Sequence, residues 1–178
     1  MKAARPEVFQ QFTVPVRVTF RQCVKDDLPA LEWYGLFHEH RAIIRSAFKG
    51  QLRGQGLMLL AEVNHFPIGQ VWLDLTRKAA ERCGRLWACR VIPPFQSRGI
   101  GARLLSCAEA ILRRRGFVLA EVGVEKDNPN ARRFYERQGY RQSGAELEIV
   151  RTRTPAGRPL RMRLDQWLLS KPLLKGAK

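Results

Sequence analysis

Residues 90–102 read R-V-I-P-P-F-Q-S-R-G-I-G-A, and no other stretch of the chain restricts its fold as much. Just before it Leu86 and Ala88 alternate with Trp87, Cys89 and Val91, the period of a half-buried strand. Pro93 and Pro94 lack backbone donors, so the ladder of that strand must stop there. Beyond them, apolar residues at 100, 104, 105, 108, 111 and 112 follow one face of a helix, from which Arg103, Glu109 and Arg113 fall away. Arginines at 113–115 complement the negative end of that helix, and Gly116 can take the left-handed conformation that ends it. A strand that turns into a helix through Gly99 and Gly101 gathers free backbone N–H groups at a positive dipole end, which makes an anion site. Two residues without Cβ let a phosphate come close to that backbone. A glycine-rich turn with no ligand fits the same letters. The dinucleotide fingerprint is excluded because Leu104 stands where its third Gly belongs, and no Gly-Lys-Ser/Thr marks a nucleoside triphosphate loop.

A chain of 178 residues with 45% hydrophobic content has the material for one packed domain. The expected division is an extended arm over 1–15, a single domain over 16–170 and a tail over 171–178. No apolar run approaches the ~20 residues of a membrane span, and the first residues lack an apolar signal-peptide core, so the expected location is the cytoplasm. Cys23, Cys83, Cys89 and Cys107 form no C-x-x-C pair and read as reduced, mostly buried thiols. The formal charge of +16 favours anionic partners: nucleic acid, the ribosome, phosphorylated cofactors or acidic substrates. Arginine-rich genomic composition would produce the same excess, and no basic block with interleaved aromatics suggests a single-strand platform.

Along the chain, Val16, Val18 and Phe20 alternate with Arg17, Thr19 and Arg21, which predicts a first strand. Asp26 and Asp27 are candidate caps for a helix to about residue 37, with a second helical stretch to about residue 49. His38 and His40, two apart, would not share a helical face, which argues against a metal site. Residues 57–75 predict a hairpin turning at 64–67, followed by a charged loop over 76–84. A buried strand over 117–124 precedes a helix capped by Asn128, opened by Pro129 and closed by Gly139. A last hairpin turns at T-P-A-G-R-P. Its expected register sets Leu147 opposite Leu164, Ile149 opposite Met162 and Glu148 opposite Arg163. Arg151, Arg153, Arg158, Arg161 and Arg163 make this hairpin basic, although an ordinary charged surface fits too.

Two segments, V-I-P-P-F-Q-S-R-G-I-G-A and N-P-N-A-R-R-F-Y-E-R-Q-G-Y, in this order and spacing, resemble the GNAT superfamily of acyl-CoA-dependent N-acyltransferases. The resemblance covers about residues 16–169. It implies an α/β (mixed α+β) fold, with a splayed mixed central sheet of six to seven strands flanked by helices. It further implies acetyl-CoA as co-substrate, with Val91 and Ile92 along the pantetheine arm and Gln96, Ser97, Arg98, Gly99, Ile100, Gly101 and Ala102 around the pyrophosphate. Asn128 and Ala131 match further coenzyme contacts, with Asn128 equally a helix cap. Tyr135 matches the general acid, since a phenol with pKa near 10 keeps its proton at neutral pH; core packing of the same side chain is the competing reading. The place of the Glu base of histone-type relatives holds Arg85, which leaves Glu62, Asp74 and Glu121 as candidates. By the same resemblance the acceptor site lies near residues 50–56 and the basic hairpin. That location suggests a primary amine acceptor bearing a carboxylate or phosphate. A homodimer is compatible with the reading. The alternative is a basic GNAT-fold module that binds RNA or the ribosome with weak or no catalysis.

Overall fold

The computed structural model describes residues 9–173. Its strands are β1 (Thr19–Gln22), β2 (Gly56–Val63), β3 (Phe66–Lys78), β4 (Cys83–Val91), β5 (Leu119–Glu125), β6 (Arg141–Arg153) and β7 (Pro159–Pro172). Its α-helices are α1 (Arg41–Leu52), α2 (Ile100–Arg114) and α3 (Pro129–Arg137). The strands form one seven-stranded sheet in the order β1-β2-β3-β4-β5-β7-β6. Only the β4–β5 pair is parallel, so the sheet is mixed and flanked by helices as expected. The central parallel pair follows from the crossover through α2, since parallel neighbours cannot be joined by a hairpin.

Alternation along the strands divides the buried residues between two faces. On one, Leu59, Val71, Leu86 and Val122 pack with Leu104, Leu105 and Leu112 of α2. On the other, Met58, Leu60 and Trp72 pack with Ile44 and Phe48 of α1 and with Leu31. Asn128 caps α3 as its position before Pro129 predicts: its Oδ1 accepts from the Ala131 N–H at 3.0 Å.

Several expectations are corrected. The helix over 26–37 is replaced by one-turn 3₁₀ segments at Lys25–Asp27, Ala30–Glu32 and His38–His40. Trp33, Tyr34 and Gly35 all take positive φ, which breaks any continuous helix there. Asp27 does not open a long helix; it accepts from Arg21 and from the Val24 N–H. The first strand starts at Thr19, and residues 9–18 carry no helix or strand; residues 1–8 of the expected arm lie outside the described residues. The loop over 76–84 shrinks to residues 79–82 because β3 and β4 extend into it. Glu109, expected on the open face of α2, is buried, where its carboxylate accepts from Tyr140 and Lys171. β7 continues past residue 170, and the Leu173 N–H donates to the Val118 carbonyl at 2.7 Å.

The last hairpin sits one residue from its expected register: Leu147 pairs with Asp165, Glu148 with Leu164 and Ile149 with Arg163. A one-residue slip sends each β6 side chain to the opposite face. Leu147 and Ile149 therefore point outward, while Glu146 and Glu148 turn in toward Arg77 and Arg85. Charge pairing on the inner face decides the register, against the apolar pattern of β6.

Candidate active site

β4 and β5 pair only from Cys83↔Leu119 to Leu86↔Val122. At the next step Ala88 takes φ 48, and the β3–β4 register slips between Trp72↔Trp87 and Gln70↔Arg90. This is a β-bulge, one extra residue on β4 that bends the strand and resets which face its side chains meet. Past the bulge the two strands diverge, and a cavity of about 800 Å³ opens there. Cys89, Arg90, Gly123, Asn128, Ala131 and Tyr135 line it at the gap. The cavity continues over the α1 face of the sheet to the β6–β7 hairpin.

Beyond Val91 the chain makes a short 3₁₀ turn at Pro93–Phe95 and enters α2. Gln96 folds back, its Nε2 donating to the Val91 carbonyl at 2.8 Å. Ser97 and Gly99 both have positive φ, 58° and 76°, and this curl turns the backbone toward the start of α2. None of the N–H groups of residues 97–102 donates to a backbone acceptor, as expected ahead of a first helical turn. The side chains of Gln96, Ser97 and Arg98 are exposed around them, whereas Ile100 is buried and anchors the helix. Ala102 is half-buried on the first turn. The two glycines differ in purpose. Space around the missing Cβ of Gly99 is open, which suits close approach by a bulky anion, while at Gly101 a Cβ would meet the Phe134 ring of α3 at 3.4 Å.

Tyr135 projects from α3 to the cavity wall, with the Phe134 and Tyr140 rings edge-on to it. Burial, reinforced by the neighbouring Cys89 thiol, holds the phenol well above its ordinary value. Burial also pushes the Cys89 thiol up. Both groups are therefore protonated at neutral pH: a proton donor and an unreactive thiol side by side. Val91 and Ile92 are half-buried at the end of β4 and pack on the α2 core.

Of the three carboxylates expected as candidate bases, only Asp74 lines the cavity. Its Oδ1 accepts from the Thr76 N–H and hydroxyl and from the Arg77 N–H. Burial raises its pKa, but these hydrogen bonds outweigh it and hold the carboxyl below the usual range. Glu62 is tied to Arg21 on β1, away from the cavity. Glu121 is buried between Lys78 and Arg85, at 2.7 and 3.2 Å. Arg85 also meets Glu146 at 2.7 Å and donates to Gln166, so it is the centre of a structural charge network. Two other carboxylates line the cavity and had no sequence signal: Glu148, paired with Arg77, and Glu125 at the diverging end of β5. Glu125 has no ion-pair partner among the described residues. The basic hairpin reaches the cavity at Arg151, whereas Arg153 donates to Gly157 of its own turn.

A mixed sheet that opens beside a glycine turn defines an acyltransferase-like architecture, and residues 20–140 match the acetyltransferase (GNAT) family. The chain belongs to that family. An aminoalkylphosphonate N-acetyltransferase of Salmonella typhimurium is 38% identical over 60 residues, 34% of this chain and 39% of that protein's length. An uncharacterized N-acetyltransferase of Methanocaldococcus jannaschii is 29% identical over 146 residues, 75% of this chain and 63% of that protein. This chain thus spans less than two thirds of either relative. An acetyltransferase from Salmonella typhimurium, solved with acetyl-CoA, superposes with a TM-score of 0.65 at 22% identity, covering 90% of this chain and 96% of its own. Among the described residues no helix is long and apolar enough to cross a membrane.

Proposed function

We propose that the protein transfers the acetyl group of acetyl-CoA to a primary amine on an acceptor that carries an anionic group, by direct attack, with Tyr135 as general acid. The observation that carries this reading is the buried, protonated Tyr135 on the wall of the gap where β4 leaves β5. The N–H groups of residues 97–102 suit the coenzyme pyrophosphate, and the free strand edges at the gap suit its pantetheine arm. In the transfer, the amine nitrogen bonds to the thioester carbon, the C–S bond breaks, and the departing sulfur takes the Tyr135 proton. The amine's own proton leaves to a carboxylate, directly or through water; Glu125 is the cavity carboxylate least committed elsewhere. Direct attack is favoured over an acyl-cysteine because the raised Cys89 thiol is a poor nucleophile. The anionic acceptor is supported by Arg90 and Arg151, the cavity arginines whose side chains have no hydrogen-bond or ion-pair partner among the described residues, and by the aminoalkylphosphonate in the name of the Salmonella relative.

The test is thiol release from acetyl-CoA across a panel of simple and anionic amines, with wild type and Tyr135→Phe. Turnover that falls steeply in Tyr135→Phe while acetyl-CoA binding persists supports the reading. Equal turnover in the two proteins would remove Tyr135 from the mechanism.

A further inference from the structure

Most arginines that reach the cavity are already engaged. Arg77 holds Glu146 and Glu148, Arg85 holds Glu121 and Glu146, and Arg53 donates to Gln55. Arg90 is different. It is half-buried at the end of β4, opposite Gln70, and its side chain makes no hydrogen bond or ion pair with any described residue. Its guanidinium lies 4.1 Å over the Phe37 ring, in the segment that leads into α1, an arrangement that fixes the plane of the fork. The Phe37 ring in turn meets the His40 ring, centroids 5.7 Å apart. The Nδ1 of His40 is buried without a hydrogen-bond partner, and all three side chains line the cavity. Burial, and then the charge of Arg90, hold the imidazole below its ordinary 6.5, so it is neutral and has one N–H to give. Burial likewise depresses the Arg90 guanidinium, as for a cation with no counter-ion, yet an arginine stays charged.

A fixed cation and an orphaned ring nitrogen on one cavity wall are costly unless something that enters the cavity satisfies them. An oxyanion would satisfy both, with two oxygens on the planar fork and one accepting from His40 in its Nδ1–H tautomer. We propose that Arg90 and His40 bind the anionic group of the acceptor, a carboxylate or phosphonate carried on the amine, and so set substrate specificity. This rests on the reading of the cavity as the acceptor site. It also moves the selective charge from the arginine-rich hairpin to the strand just past the bulge. The coenzyme phosphates are a poorer match, because the free N–H groups before α2 already serve that need.

The experiment uses the full chain with saturating coenzyme A and titrates β-alanine, 2-aminoethylphosphonate and ethylamine calorimetrically. Wild type, Arg90→Gln, Arg90→Lys and Arg151→Ala are compared, with acetyl-CoA affinity measured for each. We expect wild type to prefer one or both anionic amines over ethylamine by roughly tenfold or more, the scale of a charge-assisted bidentate contact. Arg90→Gln should abolish the preference, Arg90→Lys should restore part of it, and Arg151→Ala, which removes the exposed cavity arginine of the hairpin, should keep most of it; a loss as complete as that of Arg90→Gln would put the selective charge on the hairpin and overturn the proposal. The carboxylate and phosphonate arms tell which oxyanion fits. Binding needs no transfer step, so the result stands even if turnover fails. A wild type that binds neither anionic amine overturns the proposal. So does a preference that survives Arg90→Gln, or an Arg90→Gln variant whose main loss is acetyl-CoA affinity, which would make Arg90 a coenzyme contact.

Discussion

At the scale of single residues, the chemistry turns on which groups hold protons. Tyr135 is raised well above its ordinary value near 10, chiefly by burial. Its folded value lies above its unfolded one, so its stabilising contribution is complete below pH ~10 and is lost only as pH rises beyond that. Over the working range it remains an acid. The rate should therefore climb with pH as the acceptor amine deprotonates, with no alkaline fall below pH ~9. A pH profile of kcat/KM reads this directly: a falling limb below that pH, removed by Tyr135→Phe, would contradict it. Tyr135→Phe itself should lower kcat by about 10²–10⁴-fold, the usual worth of a positioned acid. Residue roles set by local geometry were legible in the sequence, as at Asn128, where the cap and Pro129 are neighbours. Arg90 and His40 were not. Their meeting depends on the bulge at Ala88 and on the positive φ values at residues 33–35, neither of which leaves a period in the sequence.

Between elements, α2 lies tight against β4. A Cβ on Gly84 would collide with the buried Leu112 side chain, so only glycine lets the helix lie this close to the strand. Gly84→Ala should destabilise the fold by about 1–3 kcal/mol through overpacking, measured by urea denaturation. An unchanged midpoint would mean that the helix can move aside without cost. The charge network linking β3, β4, β5 and β6 is the second element-scale feature. Arg85 is buried beside Glu121, and Arg85→Met would leave that carboxylate with Lys78 alone. The expected loss is about 3–5 kcal/mol, the range for breaking a buried ion pair on one side. This network also explains the misread hairpin: the apolar letters of β6 favour the register with Leu147 and Ile149 inward, whereas Glu146 and Glu148 have partners only in the register observed. The order of strands along the chain and the α2 boundaries, by contrast, follow from proline, glycine and period, and were readable in advance, unlike the segment over 26–37.

For the whole molecule, the formal charge of +16 and the lowered carboxylates act together on pH dependence. Burial raises Asp27 and Glu146, but Arg21 and Arg85 respectively outweigh it and hold both carboxyls below their ordinary values. Groups with depressed folded values stabilise above the unfolded pKa near 4, and that stability disappears as pH falls through the folded values. Thermal midpoints should thus be flat from pH 7 to 8, ease down below pH ~6.5 as the unfolded chain protonates His40 before the folded one does, and drop further below pH ~4, with added salt softening the drop by screening the net positive charge. The sequence carried the architecture because its two glycine-centred segments resemble a family whose strand order is fixed. The cavity was legible only in part: residues 50–56 and the basic hairpin do line it, whereas its walls on β3 and β4 are brought together from across the chain.

Whether the turn before α2 and the gap beside β4 hold acetyl-CoA is decided by titrating acetyl-CoA into wild type and Gly99→Glu by calorimetry. Glutamate at Gly99 enters open space and leaves the core intact, so the variant should fold; the positive φ strains the curl at that one position, and the new carboxylate repels the pyrophosphate. Wild type should bind and the variant should not, at unchanged circular dichroism. Folded wild type that binds no acetyl-CoA, or a variant that binds as well as wild type, would contradict that placement of the coenzyme.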